Sequence, residues 1–348
     1  MAIDHSQIHK ILVIKLRAIG DVLLSTVVLK NLRAAFPNAQ IDFLTENPSR
    51  EVVEGNPHLN IVHVFDNKRD NGMSLIWKVR HQRYDLVIDL FGNPRSALVT
   101  YFSGAKYRVG YRFKWRQRCY NIVVEPRGGE VHNTDFNLDA LRAMGISISD
   151  RSIHFPLIRE VENFAEEFFS KEKLQGKFVV AVNAGGGWYT KRWRPSQFSA
   201  LGDKIANELG AEILLTWGPG EKEDAEQIRS TMNHRAILIP ACNLKQLGAI
   251  IHRCSVFITN DSGPMHIAAA VGTPTVAIFG PTNPDLQGPV SDNNEIVRNE
   301  RLVCLGCNFT KCPIGNPCME ELSVDEVFTA FQKLVEKNQL AYQLSERG

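Results

Sequence analysis

The sequence predicts an α/β protein made of two Rossmann-like domains, and three observations carry that expectation. Residues 256–279 read VFITNDSGPMHIAAAVGTPTVAIF: an apolar β-branched run, a polar turn, a short helix and a second apolar run. That order is a βαβ unit, whose strands must be parallel. Residues 10–45 repeat the pattern near the start of the chain. Finally, 348 residues are too many for one ordinary core, so two domains are expected.

Composition bounds the function classes. Hydrophobic content is 44% and charged content 22%, the balance of a globular protein in water. No apolar run approaches the ~20 residues of a membrane span. MAIDHSQIHK has no apolar segment of the signal-peptide kind, so a cytoplasmic location is expected. Net charge is +2, unevenly spread: residues 1–158 hold 21 Lys/Arg against 15 Asp/Glu, and residues 159–348 hold 19 against 23. Between Leu90 and Val124 there is no acid, yet Arg95, Lys106, Arg108, Arg112, Lys114, Arg116 and Arg118 all fall there. An anionic partner on the N-terminal half is the expectation.

In the first half, KILVIKL (10–16) is a strand and Arg17-Ala18-Ile19-Gly20 its turn. Asp21 opens a helix whose apolar positions Val22, Leu23, Val27, Val28, Leu32 and Phe36 keep helical spacing, and 40–45 is the next strand. No G-x-G-x-x-G follows the first strand, which counts against a nicotinamide or flavin enzyme. Asp21 at a helix N-cap has a sufficient structural explanation. It also lies at the carboxyl edge of a strand, where open α/β sheets bind ligands. Lys15 and Arg17 flank it and suit carboxylates or phosphates; solvated strand-end charge is the plainer reading. In YDLVIDLFGNPRSAL, 86–90 is a buried strand, Asp89 a polar anchor for a nearby loop, and Arg95 follows at the strand's end. The segment 106–118 interleaves its cations with Tyr107, Tyr111, Phe113 and Trp115. With no nucleic-acid fold signature beside it, a cationic aromatic loop for a phosphorylated glycolipid or anionic membrane is favoured over nucleic acid.

In the second half, 160–172 is an acidic amphipathic helix and 178–183 a strand, followed by Ala184-Gly185-Gly186-Gly187. The glycines let the backbone approach something closely, a phosphate or simply the next turn. Thr190, Lys191, Arg192, Trp193 and Pro195 precede a helix over 196–209. Strand 211–216 ends in W-G-P-G-E, where Glu221 either accepts ribose hydroxyls or complements a helix dipole. In the 256–279 unit, the amides of Ser262, Gly263 and Met265 at the helix start face an anion site with the Asp261 carboxylate at its rim. Capping is the alternative role for Asp261 and Ser262. His266, inside that helix, reads more plainly as a core histidine than as a catalyst.

K-x-R-A-I-G-D-V-L at 15–23 and D-S-G-P-M-H-I-A-A-A-x-G-T-P at 261–274 resemble the family 9 glycosyltransferases, heptosyltransferase-type enzymes of lipopolysaccharide core assembly. A Lys and an aromatic before a Pro, at 191–195, are similar as well. The resemblance implies the GT-B fold, two Rossmann-like domains facing across a cleft. Residues 1–158 would bind the acceptor, 159–322 the nucleotide sugar, and a helix within 323–348 would pack back on the first domain. It implies an inverting enzyme that moves heptose from ADP-heptose to an anionic inner-core glycolipid at the inner face of the cytoplasmic membrane. Asp21 would be the general base, with Lys15, Arg17, Gly20, Arg95 and Arg112 on the acceptor side. Lys191 would hold the donor diphosphate, with Gly185, Gly186, Thr190, Glu221, Asp261, Ser262, Gly263 and His266 around the donor. No cofactor is required for transfer. The alternatives are a GT-B enzyme of another nucleotide sugar, such as a UDP-sugar transferase or epimerase, and a nucleotide-binding scaffold without turnover.

Four of the seven cysteines cluster as Cys304-x2-Cys307-x4-Cys312-x5-Cys318. Such spacing suits a structural zinc or iron–sulfur knuckle, and free thiols are the alternative.

Overall fold

The computed structural model describes residues 3–66 and 69–340. The chain divides into two compact units, Met1–Pro156 and Leu157–Gly348, close to the expected boundary after residue 158.

The first unit is built on β1 (Lys10–Ile14), β2 (Gln40–Glu46), β3 (Ile61–Phe65), β4 (Leu86–Asp89), β5 (Tyr107–Tyr111) and β6 (Ile122–Val124). Their order is β3-β2-β1-β4-β5-β6, with every pairing parallel. Ile11, Leu12, Val13 and Ile14 are fully buried because a central parallel strand is covered by helices on both faces. The segment expected as a loop over 106–118 is instead β5 followed by the 3-10 turn Lys114–Cys119. Tyr107 and Tyr111 alternate with Arg108 at strand period, so both rings are buried. Asp89 is buried at the end of β4, where it accepts from the Phe91 and Gly92 N–H groups at 3.0 and 2.8 Å and from Tyr120 Oη at 2.7 Å. It anchors the following loop, as the sequence suggested.

The second unit repeats the topology with β7 (Val179–Asn183), β8 (Glu212–Thr216), β9 (Ala236–Leu238), β10 (Val256–Asn260), β11 (Thr275–Ile278) and β12 (Asn294–Val297). The order is β12-β11-β10-β7-β8-β9, again all parallel. The tail helix is Val324–Lys337. Its apolar face of Val327, Phe328, Phe331, Leu334 and Val335 is buried in the second unit's own core, against the Pro195–Leu209 helix, β11 and β12. The expected extension to 348 runs past Leu340, outside the described residues.

In each sheet the strand order reverses once: between β1 and β4 in the first, between β7 and β10 in the second. Open α/β sheets bind ligands at such reversal points, beyond the carboxyl ends of the strands.

Candidate active site

In the second unit the reversal point is flanked by the loops after β7 and β10, and an ion pair joins them. Lys191, in the short turn Tyr189–Lys191, places Nζ 2.7 Å from Asp261 Oδ2, with side chains only 13% and 5% exposed. The ammonium also sits 4.6 Å from the centre of the Trp188 ring. Thr282, after β11, donates its hydroxyl to the same Asp261 oxygen at 2.6 Å. Asn260, at the end of β10, fixes the pairing of these loops. Its Nδ2 donates to the carbonyls of Ala184 and Gly185 at 2.8 and 3.2 Å, and its Oδ1 accepts from the Trp193 N–H at 3.1 Å.

The glycines after β7 have their N–H groups held by side-chain acceptors. The Gly185 N–H donates to Asn183 Oδ1 at 2.7 Å, and the Gly186 N–H to Glu221 Oε1 at 3.1 Å. The other Glu221 oxygen takes the Gly218 N–H at 3.0 Å. A Cβ on Gly185 would fall on the Glu221 carboxylate, which is why that position carries no side chain. Glu221 therefore ties the loops after β7 and β8 together. Arg192 adds to the tie through Gly186 O at 2.8 Å and Asp224 at 3.3 Å.

Ser262 precedes the Gly263–Ala270 helix but does not cap it with its hydroxyl, which lies 3.2 Å from Thr259 Oγ1. Met265 gives its N–H to Ser262 O at 3.2 Å. Of the three amides expected to face an anion, those of Ser262 and Gly263 remain as helix-start donors. His266 is 5% exposed, within the helix. Thr190 is buried and donates to Phe309 O at 2.8 Å, tying the Lys191 turn to the cysteine-bearing loop.

At the reversal point of the first unit, Lys15 bridges β1 and β4. Its Nζ donates to Leu90 O at 3.0 Å. Burial pushes the Lys15 pKa below its ordinary value, and the Asp21 and Asp89 carboxylates oppose that shift. Asp21 is exposed and lies at the third position of the Ile19–Ser25 helix, not at the cap. Ala18 is the cap, and Asp21 Oδ2 reaches back to its N–H at 3.4 Å. Gly20 is half-buried in the same turn and Arg17 is exposed. Arg95 pairs with Glu46 at 3.2 Å and stacks 4.8 Å from the Phe65 ring. Arg112 has Glu125 and Gln117 as partners rather than the Lys15–Asp21 group.

Among the described residues no group of three or more His, Cys, Asp or Glu side chains is placed to hold a metal ion. Cys304, Cys307, Cys312 and Cys318 are all free thiols. Cys318 lies in the Pro317–Glu320 turn and is buried, while the other three are half-exposed. Burial, and then the charge of the other three thiolates, pushes its pKa up to about 11.

Sequence reasoning missed Asn260, Thr282 and Trp188. Asn260 closes a run of strand residues and carries a readable signal, a buried amide next to Asp261. Thr282 and Trp188 carry none.

Residues 73–316 match the model of "Glycosyltransferase family 9 (heptosyltransferase)". The lipopolysaccharide heptosyltransferase 3 of Escherichia coli is 27% identical over 299 residues, covering 79% of this chain and 84% of that protein. The lipopolysaccharide heptosyltransferase 2 of Escherichia coli strain K12 is 27% identical over 316 residues, covering 83% and 88%. A family 9 glycosyltransferase from Veillonella parvula superposes with a TM-score of 0.85 at 26% identity, covering 94% of this chain and 97% of that one. With two parallel sheets reversing at charged loops and a family match over most of its length, the chain is a GT-B enzyme and belongs to glycosyltransferase family 9, the heptosyltransferases.

Proposed function

We propose that the protein transfers heptose, with inversion, from ADP-heptose to the inner core of a lipopolysaccharide acceptor, itself an anionic glycolipid carried on the inner face of the cytoplasmic membrane. The observation that carries this reading is the buried Lys191–Asp261 pair at the reversal point of the second sheet, beside the amides of Ser262 and Gly263. An ammonium and a helix start are the groups a diphosphate needs.

The chemistry follows from the charge that develops. The acceptor hydroxyl oxygen forms a bond to the anomeric carbon as the bond from that carbon to the diphosphate breaks. The leaving diphosphate keeps the bonding electron pair, and Lys191 with the helix-start amides stabilises the added charge. Asp21 takes the hydroxyl proton; its exposed carboxylate at the first turn of a helix is open to an incoming substrate. Lys15 and Arg17 lie on the same turn, where they meet anionic groups of the acceptor. Thr190 and Glu221 hold the donor loops, and Asp261 orients Lys191.

Calorimetric titration with ADP and UDP, followed by turnover on ADP-heptose and a delipidated acceptor, tests the reading. The expected result is selective ADP binding by the native enzyme and by Asp21→Asn, with turnover lost only in the variant. Preference for UDP would overturn the donor assignment, and full turnover by Asp21→Asn would overturn the base.

A further inference from the structure

A separate surface of the first unit has no part in the chemistry above. The Pro94–Phe102 helix buries Ser96, Ala97, Val99 and Thr100, with the Thr100 hydroxyl donating to Ser96 O at 2.9 Å. Its outward positions, spaced at four, seven and eight residues, are Pro94, Leu98, Tyr101 and Phe102. Leu98, Tyr101 and Phe102 are 38%, 48% and 45% exposed. The Gly72–His81 helix packs beside it and presents Met73 and Trp77 at 71% and 63% exposure. His81 stacks on Trp77 with ring centres 4.4 Å apart. On the other flank the Lys114–Cys119 turn packs against the same helix and exposes Trp115. Arg80 ties the two helices by donating to Phe102 O at 3.2 Å.

Single exposed apolar residues are ordinary, but large apolar side chains exposed on three elements that pack against one another are not. The charge setting of this face narrows the partner. The two stretches that build it, 71–84 and 90–124, contain no Asp or Glu, and between them carry three and seven Lys/Arg. Trp and Tyr with one apolar end and one polar end settle at the headgroup level of a bilayer, and Lys/Arg around them are drawn to anionic lipid. No described helix is long and apolar enough to cross a membrane, so this face would lie on one.

We propose that this face, centred on Trp77, Tyr101 and Phe102 and ringed by Arg80, Arg108 and Lys114, docks the enzyme on an anionic lipid bilayer. It deepens the reading of a membrane-borne acceptor and rests on it for its purpose. The Pro94–Phe102 helix starts at Asn93, just beyond the Leu90 carbonyl that holds Lys15. One helix thus joins the docking face to the acceptor end of the sheet.

Vesicle sedimentation of the full chain tests the proposal without any sugar chemistry. Wild type is expected to sediment with vesicles of equimolar phosphatidylcholine and phosphatidylglycerol, to stay soluble with phosphatidylcholine alone, and to release in high salt. Trp77→Ser/Tyr101→Ser/Phe102→Ser should weaken binding by about tenfold or more. Lys114→Glu/Arg118→Glu, on exposed positions, should do so without touching the aromatic row. Both variants should keep the wild-type circular dichroism spectrum and the wild-type rate on a delipidated acceptor. Equal binding to phosphatidylcholine alone, no binding to either vesicle, or undiminished binding by the triple variant would overturn the proposal. A wild-type dimer that the triple variant converts to monomer would also overturn it, by assigning the face to a second copy of the chain. Loss of turnover on ADP-heptose with vesicle binding intact would sink only the activity reading.

Discussion

Replacing Lys191 with Met keeps the side chain's length and removes its charge. Asp261 is then left 5% exposed with the Thr282 hydroxyl at 2.6 Å and no cation. Breaking a buried pair from one side costs about 3–5 kcal/mol. The surviving Thr282 bond puts the expected loss near the lower end, about 3 kcal/mol. For a unit of this size that lowers Tm by about 6–12 °C. Asp261→Asn in the same background removes the stranded charge and should recover most of the loss, a coupling that a double-mutant cycle reads directly. Binding changes separately. Losing a charge-assisted contact to phosphate costs about 1.5–3 kcal/mol, which is about a 10- to 100-fold weaker Kd for ADP. Differential scanning calorimetry gives the first number and titration calorimetry the second. An unchanged Tm refutes the claim that the pair is buried and coupled. A lowered Tm with unchanged ADP affinity makes Lys191 a strut between loops rather than a phosphate ligand.

Gly185→Ala should push the Glu221 carboxylate off the Gly186 and Gly218 N–H groups and lower stability by about 1–3 kcal/mol, read by thermal melting. Glu221→Ala in that background relieves the clash, so the double variant should melt above the sum of the single effects. Asp150 gives a pH signature. Partial burial pushes its pKa up, but the Lys30 ammonium and the Ser152 hydroxyl and N–H outweigh that and hold it at about 2, against 3.8 for an ordinary Asp. A depressed carboxylate pKa stabilises the fold above the ordinary value and loses that contribution as pH falls to the folded one. Asp150 therefore stabilises the fold above pH of about 4, a contribution lost between about 4 and 2, and Asp150→Asn should flatten acid unfolding in that window.

Much of this architecture could be read from the chain. The runs KILVIKL and VFITN are strands because parallel-sheet centres are apolar on both faces, and each is followed by a turn and a helix. Lys191 and Asp261 were both visible as candidates, but not as partners: nothing in a sequence says that the loops after two strands far apart in the chain meet at one sheet's reversal. Glu221 was read as a ribose contact or a helix-dipole partner; that it ties two glycine N–H groups depends on loop geometry, which no sequence shows. The basic segment was read as a loop because its charges hid the period-two placing of Tyr107 and Tyr111. Cysteine spacing shows reach but not burial, and the turn at Pro317 buries Cys318.

All six strands of the first sheet come from one uninterrupted stretch ending at Val124, before any strand of the second has been made. On a ribosome the first half can thus complete its sheet early, with every pairing partner already synthesised. The second half has no such freedom. Its core waits for Phe328 and Phe331 on the tail helix, after the last strand has ended at Val297. A chain interrupted between those points carries a finished sheet with an uncovered apolar face, the form most exposed to aggregation and degradation. Selection on expression should therefore fall harder on the final helix than on any surface loop upstream of it.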